Sequence, residues 1–247
     1  AARGNKVVRF EADIDICGQF NLAQRMPGNE VYAETIRYLR TRLAGLGVEV
    51  NCGRPASLAD LDSGEFDEIV VATGVRPRHL DIPGSDHPSV MTYVEAITNT
   101  ARVGAEVAIV GAGGIGFDVA TLLSHPHGPH DPLHPDVEGF SAEWGIDLSY
   151  TQPGALLPAN HQWPSSRKIH LLQRKPRDSF GASLSKTRGW ANFLEVMFRG
   201  VTMTGDVTYR KIDDTGLHIE AGGKPQALKV DTMGVCAGQE SADDALS

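Results

Sequence analysis

The chain has 247 residues, 41% of them hydrophobic and 22% charged, the makeup of a globular protein of one or two domains with a sizeable core. A formal net charge of −8 argues against a nucleic-acid surface, no apolar run is long enough to cross a bilayer, and no signal peptide opens the sequence. Three scattered cysteines (Cys17, Cys52, Cys236), none in a C-x-x-C pair, exclude a disulfide framework, a redox dithiol and a cysteine-bound cluster within this chain, and the expectation is a cytoplasmic protein.

Ala1-Ala2-Arg3-Gly4-Asn5 lacks an initiator Met and reads as the frayed end of a helix stopped by glycine, so the chain is expected to be a piece of a longer one. Residues 6–10 alternate into a short strand closed by Glu11. An acid closing a second strand is where a dinucleotide unit grips a ribose hydroxyl, and a solvated surface acid fits Glu11 equally well. Ile16-Cys17-Gly18-Gln19-Phe20 reads as a loop with a glycine where a ligand can come close. From Gly28 the pattern turns helical, with Tyr32, Ile36, Leu39 and Leu43 on one face, until Gly45 and Gly47 stop it. Residues 48–52 and 66–72 read as strands, the second ending at Ala72-Thr73-Gly74. A proline- and glycine-marked loop follows, then a short helix over residues 91–99 with Thr92 as its N-cap.

From Val103 the pattern starts again. An apolar strand, residues 107–110, runs into Gly111-Ala112-Gly113-Gly114-Ile115-Gly116 and then into an apolar helix start. In such a G-x-G-x-x-G run the first glycine permits the turn, the second lets backbone approach a pyrophosphate, and the third lets helix pack on strand. The helix then points unpaired N–H groups and a partial positive charge at the phosphate. The bland alternative is a tight turn without a ligand. Residues 125–164 hold seven of the 14 prolines and five of the nine histidines, which excludes a regular helix and suggests a long surface excursion. Prolines between His125, His127, His130 and His134 favour a polar loop over a metal site.

Regular structure resumes with a strand over residues 168–172, followed by Gln173-Arg174-Lys175. Two cations stand where an NAD-binding unit carries an acid, and a 2′-phosphate wants that positive charge; exposed loop cations are the other reading. Trp190, Phe193, Leu194 and Met197 form an apolar stripe expected in the core. Residues 207–229 alternate around Asp213-Asp214-Thr215-Gly216 and Gly222-Gly223, an antiparallel meander, and residues 232–236 make a last strand before Ala237-Gly238. The fold class is therefore α/β: residues 1–100 as an incomplete FAD-binding domain, 101–236 as an inserted Rossmann-like NADPH-binding domain with an excursion over 125–166, and 237–247 as a truncated return.

The chain resembles the C-terminal flavoprotein portion of bacterial NADPH-dependent 2,4-dienoyl-CoA reductases along nearly all its length. The resemblance is carried by Gly18-Gln19-Phe20-Asn21, by Val110-Gly111 through Gly114-Ile115-Gly116-Phe117-Asp118, and by Glu143-Trp144-Gly145-Ile146-Asp147. Leu172-Gln173-Arg174-Lys175, Gly189-Trp190, Lys211-Ile212-Asp213-Asp214 and Cys236-Ala237-Gly238-Gln239-Glu240 complete it. Glu143 to Asp147 is the most discriminating stretch, since no generic dinucleotide fold calls for it.

That resemblance implies a relay in which NADPH reduces FAD and electrons pass through a 4Fe–4S cluster to FMN, which reduces a dienoyl-CoA on a barrel outside this chain. It implies Gly111, Ala112, Gly113, Gly114, Ile115 and Gly116 as the NADPH pyrophosphate loop and Arg174 and Lys175 on the 2′-phosphate. Glu11 would take the FAD ribose, with Gly18, Gln19, Thr73, Gly74, Ala237 and Gly238 also on cofactor; no catalytic acid or base is implied. Relatives carry Gly where this chain has Cys17, and the first FAD glycine loop is missing, so FAD is expected to be held weakly by this chain alone. Two rivals stay open: an amine-dehydrogenase-like flavoprotein with a structural adenine-nucleotide site, which has no need of Arg174 and Lys175, and a non-enzymatic nucleotide-binding module.

Overall fold

The structure, a computed structural model, describes residues 1–62, 64–125, 137–157 and 163–242. The chain divides into two compact units, Ala1–Arg76 with Gln239–Ser247 and, inserted between them, Pro77–Gly238. The architecture is α/β with parallel and antiparallel sheets, as the sequence indicates.

In the first unit β1 (Val8–Glu11) leads through α1 (Gln19–Ala23) and α2 (Tyr32–Gly45) to β2 (Glu49–Cys52), which pairs with β1 in parallel. Of the expected α2 stripe only Ile36 is buried, while Leu39 is exposed. A short α3 (Leu58–Leu61) follows, closed at its start by a capping box between Ser57 and Asp60. Residues 66–72 are not the expected strand. Ile69, Val70 and Val71 carry the right β propensity but have no ladder, and Val70 is 87% exposed. A strand exists only through a hydrogen-bonded neighbour, and among the described residues none lies beside this one. β3 (Val75–Pro77) then carries the chain out of the first stretch of this unit.

The second unit opens with β4 (Val90–Thr92), so Met91 belongs to a strand and the helix expected over 91–99 starts later, as α4 (Tyr93–Thr98). Thr92 caps it as read: its hydroxyl accepts from Glu95 N at 3.2 Å, and the Glu95 carboxylate accepts from Thr92 N at 2.8 Å. Next come β5 (Glu106–Val110), α5 (Gly114–Ser124), α6 (Val137–Trp144), β6 (Lys168–Leu172), α7 (Gly189–Phe198) and β7 (Thr202–Thr204). The chain then forms β8 (Val207–Asp213), β9 (Gly216–Ala221), β10 (Lys224–Leu228) and β11 (Thr232–Val235) before β12 (Gln239–Ser241).

Five strands make a parallel sheet in the order β4-β11-β5-β6-β7. Its central members are continuous apolar runs buried on both faces, as parallel strands require. On one face lies the predicted meander β8-β9-β10, whose Val207, Ile212, Leu217, Ile219 and Ala221 pack with Ala108, Val110, Leu172 and Met233. Phe117 of α5 reaches Phe193 of α7, ring centroids 6.2 Å apart. The α7 stripe is rotated from expectation: Val196 is buried, whereas Trp190 and Met197 are exposed, because the polar positions around Val196 face other protein rather than water.

Among the described residues the excursion expected over 125–164 is largely exposed, with Phe140, Leu148 and Tyr150 at the surface, but it is not all loop. Residues 126–136 and 158–162, with His127, His130 and His134, lie outside the described residues. The rest contains α6 and a buried knot. Arg199 at the end of α7, its side chain wholly buried, donates to Glu143 Oε1 at 2.7 Å and to the Pro164 carbonyl at 2.9 Å, and stands over the Trp163 ring. Trp144, Trp163 and Phe198 meet edge to face around it. Asp147 accepts from Ser149 N, Thr151 N and Oγ1, and Gln152 N, which holds its carboxyl below the usual carboxylate range. The discriminating stretch Glu143 to Asp147 is thus scaffold, tying the excursion to α7. Arg199→Ala leaves Glu143 and the already burial-strained Glu195 without their cation, and is expected to cost about 3–5 kcal/mol in urea unfolding followed by tryptophan fluorescence.

Candidate nucleotide-binding site

The turn from β5 into α5 is built by two close approaches. At Gly116 a Cβ would stand 1.9 Å from the Gly111 carbonyl oxygen, and at Gly111, φ +109°, it would stand 2.3 Å from the Cys236 carbonyl oxygen. At Gly113 and Gly114 nothing lies within 4 Å of a built Cβ. The first and last glycines therefore serve packing, while the middle two leave backbone bare toward a cleft. Gly113 caps α5 without any side-chain bond, so the first-turn N–H groups of this 11-residue helix face outward with the positive end of the dipole.

That cleft, about 1180 Å³, lies within the second unit. Gly111, Ala112, Gly113, Gly114 and Ile115 form one side, Arg174 and Lys175 the far end, and Ala237 and Gly238 also line it; Gly116 sits behind, against Gly111. Arg78 to Ile82 make a further wall. Gly238 continues from the Cys236 that Gly111 packs on, and its carbonyl accepts from Arg78 N at 3.1 Å.

The two cations are exposed at their tips but anchored at their backbone. Gln173, buried, donates its side-chain amide to the Pro176 carbonyl at 2.7 Å and to Ser179 Oγ at 3.0 Å. Gln173 N reaches the Thr204 carbonyl at 3.0 Å, and the Lys175 carbonyl accepts from Asp206 N at 2.9 Å. Among the described residues neither Arg174 nor Lys175 is held by a carboxylate. Two cations on an anchored backbone at the end of a strand, lining the same cleft as a bare glycine loop, suit a ligand with phosphates at both places. The anchoring role of Gln173 and the approach of Asp206 were missed from sequence; only the Gln-Arg-Lys run hinted at them.

The remaining expected residues lie in the first unit. Glu11 closes β1, and its carboxylate accepts from Arg9 Nη2 at 2.8 Å. Gly18 has φ +43° and nothing within 4 Å of a built Cβ, a bare backbone of the kind a nucleotide approaches. Cys17 just before it has φ +83°, the left-handed region that favours glycine, so this chain carries a side chain where the backbone asks for none. Gln19 opens α1, and Thr73 and Gly74 precede β3, with the Gly74 carbonyl accepting from Ala242 N at 3.0 Å. Burial pushes the Cys17 thiol up, and burial with nearby Asp118 pushes Cys236 up to about 12, so neither is a thiolate at neutral pH.

A family model described as pyridine nucleotide-disulphide oxidoreductase matches residues 41–247. A metal reductase of Desulforamulus reducens is 23% identical over 99% of this chain, which spans 35% of that protein. The structure of a 2-naphthoyl-CoA reductase superposes with a TM-score of 0.75 at 20% identity, over 99% of this chain and 31% of that one. Histamine dehydrogenase from Rhizobium sp. 4-9 superposes with a TM-score of 0.66 at 15% identity, over 98% and 34%. The chain thus covers about a third of the length of these similar proteins. No helix among the described residues is long and apolar enough to cross a membrane.

The two classes of glycine predict opposite outcomes. Gly116→Ala is expected to destabilise the second unit by about 2 kcal/mol or more, read as a lowered melting temperature. Gly113→Ala is expected to leave melting unchanged while weakening dinucleotide binding roughly tenfold or more in calorimetry, since its methyl projects into open cleft.

Proposed function

We propose that this chain, which belongs to the pyridine nucleotide-disulphide oxidoreductase family, is the NADPH-input portion of a multi-cofactor flavoprotein reductase acting on 2,4-dienoyl-CoA. Oxidoreductase function with FAD and a nicotinamide nucleotide follows from the family; the preference for NADPH and the dienoyl-CoA substrate are the proposal. The observation that carries it is the shared cleft of the bare glycine loop and the anchored pair Arg174 and Lys175.

When both are bound, NADPH supplies a hydride and FAD accepts it. The protein's part is to hold them. Backbone N–H groups at Gly113 to Ile115 and the start of α5 receive the pyrophosphate, and Arg174 and Lys175 receive the 2′-phosphate. Ala237 and Gly238 border the same cleft beside Gly111. Glu11, Gly18, Gln19, Thr73 and Gly74 are assigned to FAD, resting on the bare backbone at Gly18 and Gly74. No side chain of the chain is assigned to proton transfer. FMN, the 4Fe–4S cluster and the dienoyl-CoA are assigned, from the sequence resemblance, to protein outside this chain, and the inserted second unit to the NADPH domain.

Calorimetric titration with NADPH and NADH tests the assignment. Each charge-assisted bond to a phosphate, about 1.5–3 kcal/mol, should give a tenfold or greater preference for NADPH that Arg174→Ala/Lys175→Ala abolishes. Equal or absent binding of both by folded protein would favour a structural adenine-nucleotide site instead.

A further inference from the structure

The turn between β7 and β8 brings an acid to the cationic end of the cleft. Gly205 packs so closely that a Cβ would stand 2.5 Å from Arg177 N. Asp206 follows with φ +53°, a left-handed conformation that Asp and Asn tolerate better than most residues. Its N–H donates to the Lys175 carbonyl at 2.9 Å, and Val207 N donates to the Gln173 carbonyl at 3.1 Å. The Gly205-Asp206 turn is therefore bonded along the backbone of residues 173–177, and Asp206 lines the same cleft as Arg174 and Lys175. Among the described residues its exposed carboxylate has no hydrogen-bond or ion-pair partner. Among the described residues nothing pairs with it, and the bonded turn fixes the backbone from which it projects.

We propose that Asp206 is a coenzyme-specificity residue that acts against the 2′-phosphate and so limits the preference for NADPH that Arg174 and Lys175 create. This rests on the assignment of those two cations to the 2′-phosphate. A phosphate monoester carries a charge of about −1.5 to −2 at neutral pH. Beside two cations and one carboxylate it meets attraction reduced by a like charge. The ribose hydroxyl of NADH is neutral and escapes the repulsion, and it can donate a hydrogen bond to the carboxylate. The site is thereby of mixed sign, tuned between the two coenzymes rather than committed to one.

Asp206→Asn removes the charge, keeps the shape and keeps a side chain at ease in the left-handed region; Asp206→Gly removes charge and side chain without straining the turn. The full chain and both variants would be titrated with NADPH and NADH by calorimetry, with circular dichroism reporting the fold. For a like-charge contact in water at roughly 6 Å, NADPH binding should tighten about three- to tenfold in both variants at low salt. The gain should shrink toward nothing at about 1 M salt, where the screening length falls to about 3 Å, and NADH affinity should stay unchanged or fall. Unchanged or weaker NADPH binding in folded Asp206→Asn and Asp206→Gly would overturn the proposal. Arg174→Ala/Lys175→Ala in the same series separates the two readings: if it abolishes an NADPH preference that the Asp206 variants do not raise, only the role of Asp206 falls. If it changes nothing, the cation assignment falls and this proposal with it.

Discussion

The second unit depends on two carbonyl oxygens that leave no room for a side chain. Gly111 presses against Cys236 and Gly116 against Gly111, so β11, β5 and α5 meet at one junction with backbone touching backbone. The cleft of the second unit is referred to that junction. It sets where α5 begins and so where its unpaired N–H groups stand. It also puts Ala237 and Gly238 beside the glycine loop, and it brings the carboxyl ends of β5 and β11 to the cleft. Substitutions elsewhere in the loop can change what binds; at these two positions they change whether the parts meet at all.

Opposite the glycine loop the same economy of backbone holds Arg174 and Lys175. Their side chains are exposed, and a backbone free to move beneath them would waste much of any attraction for an anion. Buried Gln173 on one side and the β7–β8 turn on the other fix the main chain from which they project. The lining of the cleft therefore combines two kinds of chemistry, bare backbone at Gly113 and Gly114 and charged side chains at Arg174 and Lys175.

Local features were readable from sequence. The strand–glycine–helix run, the N-cap Thr92, the strand at Lys168–Leu172 and the meander around its glycine turns each depend on residues a few positions apart. What failed depends on partners far along the chain. Residues 66–72 have strand chemistry and, among the described residues, no neighbour to pair with. Trp190 and Met197 share a helical face with core residues, yet the excursion and the end of α7 rotate burial onto Val196 and Arg199. Trp144 and Trp163 fall in a stretch read as a surface excursion because prolines and histidines dominate its composition, yet they pack edge to face with each other and with Phe198 of α7. Asp206 sits 31 positions beyond Lys175, and only the hydrogen bond between their backbones shows that they act in one place.

The chain enters the second unit beside the point where it leaves. β3 and β12 form a two-stranded ladder, and directly beyond it Arg78 N donates to the Gly238 carbonyl. A module whose two ends are hydrogen-bonded neighbours can be spliced into a surface connection of another protein without stretching either host segment, much as a hairpin replaces a turn. Such an inserted cassette can be exchanged, duplicated or lost in one genetic step while the host unit keeps its own strand order. The nesting of one unit in the other thus makes the cleft of the second unit an evolutionarily portable property.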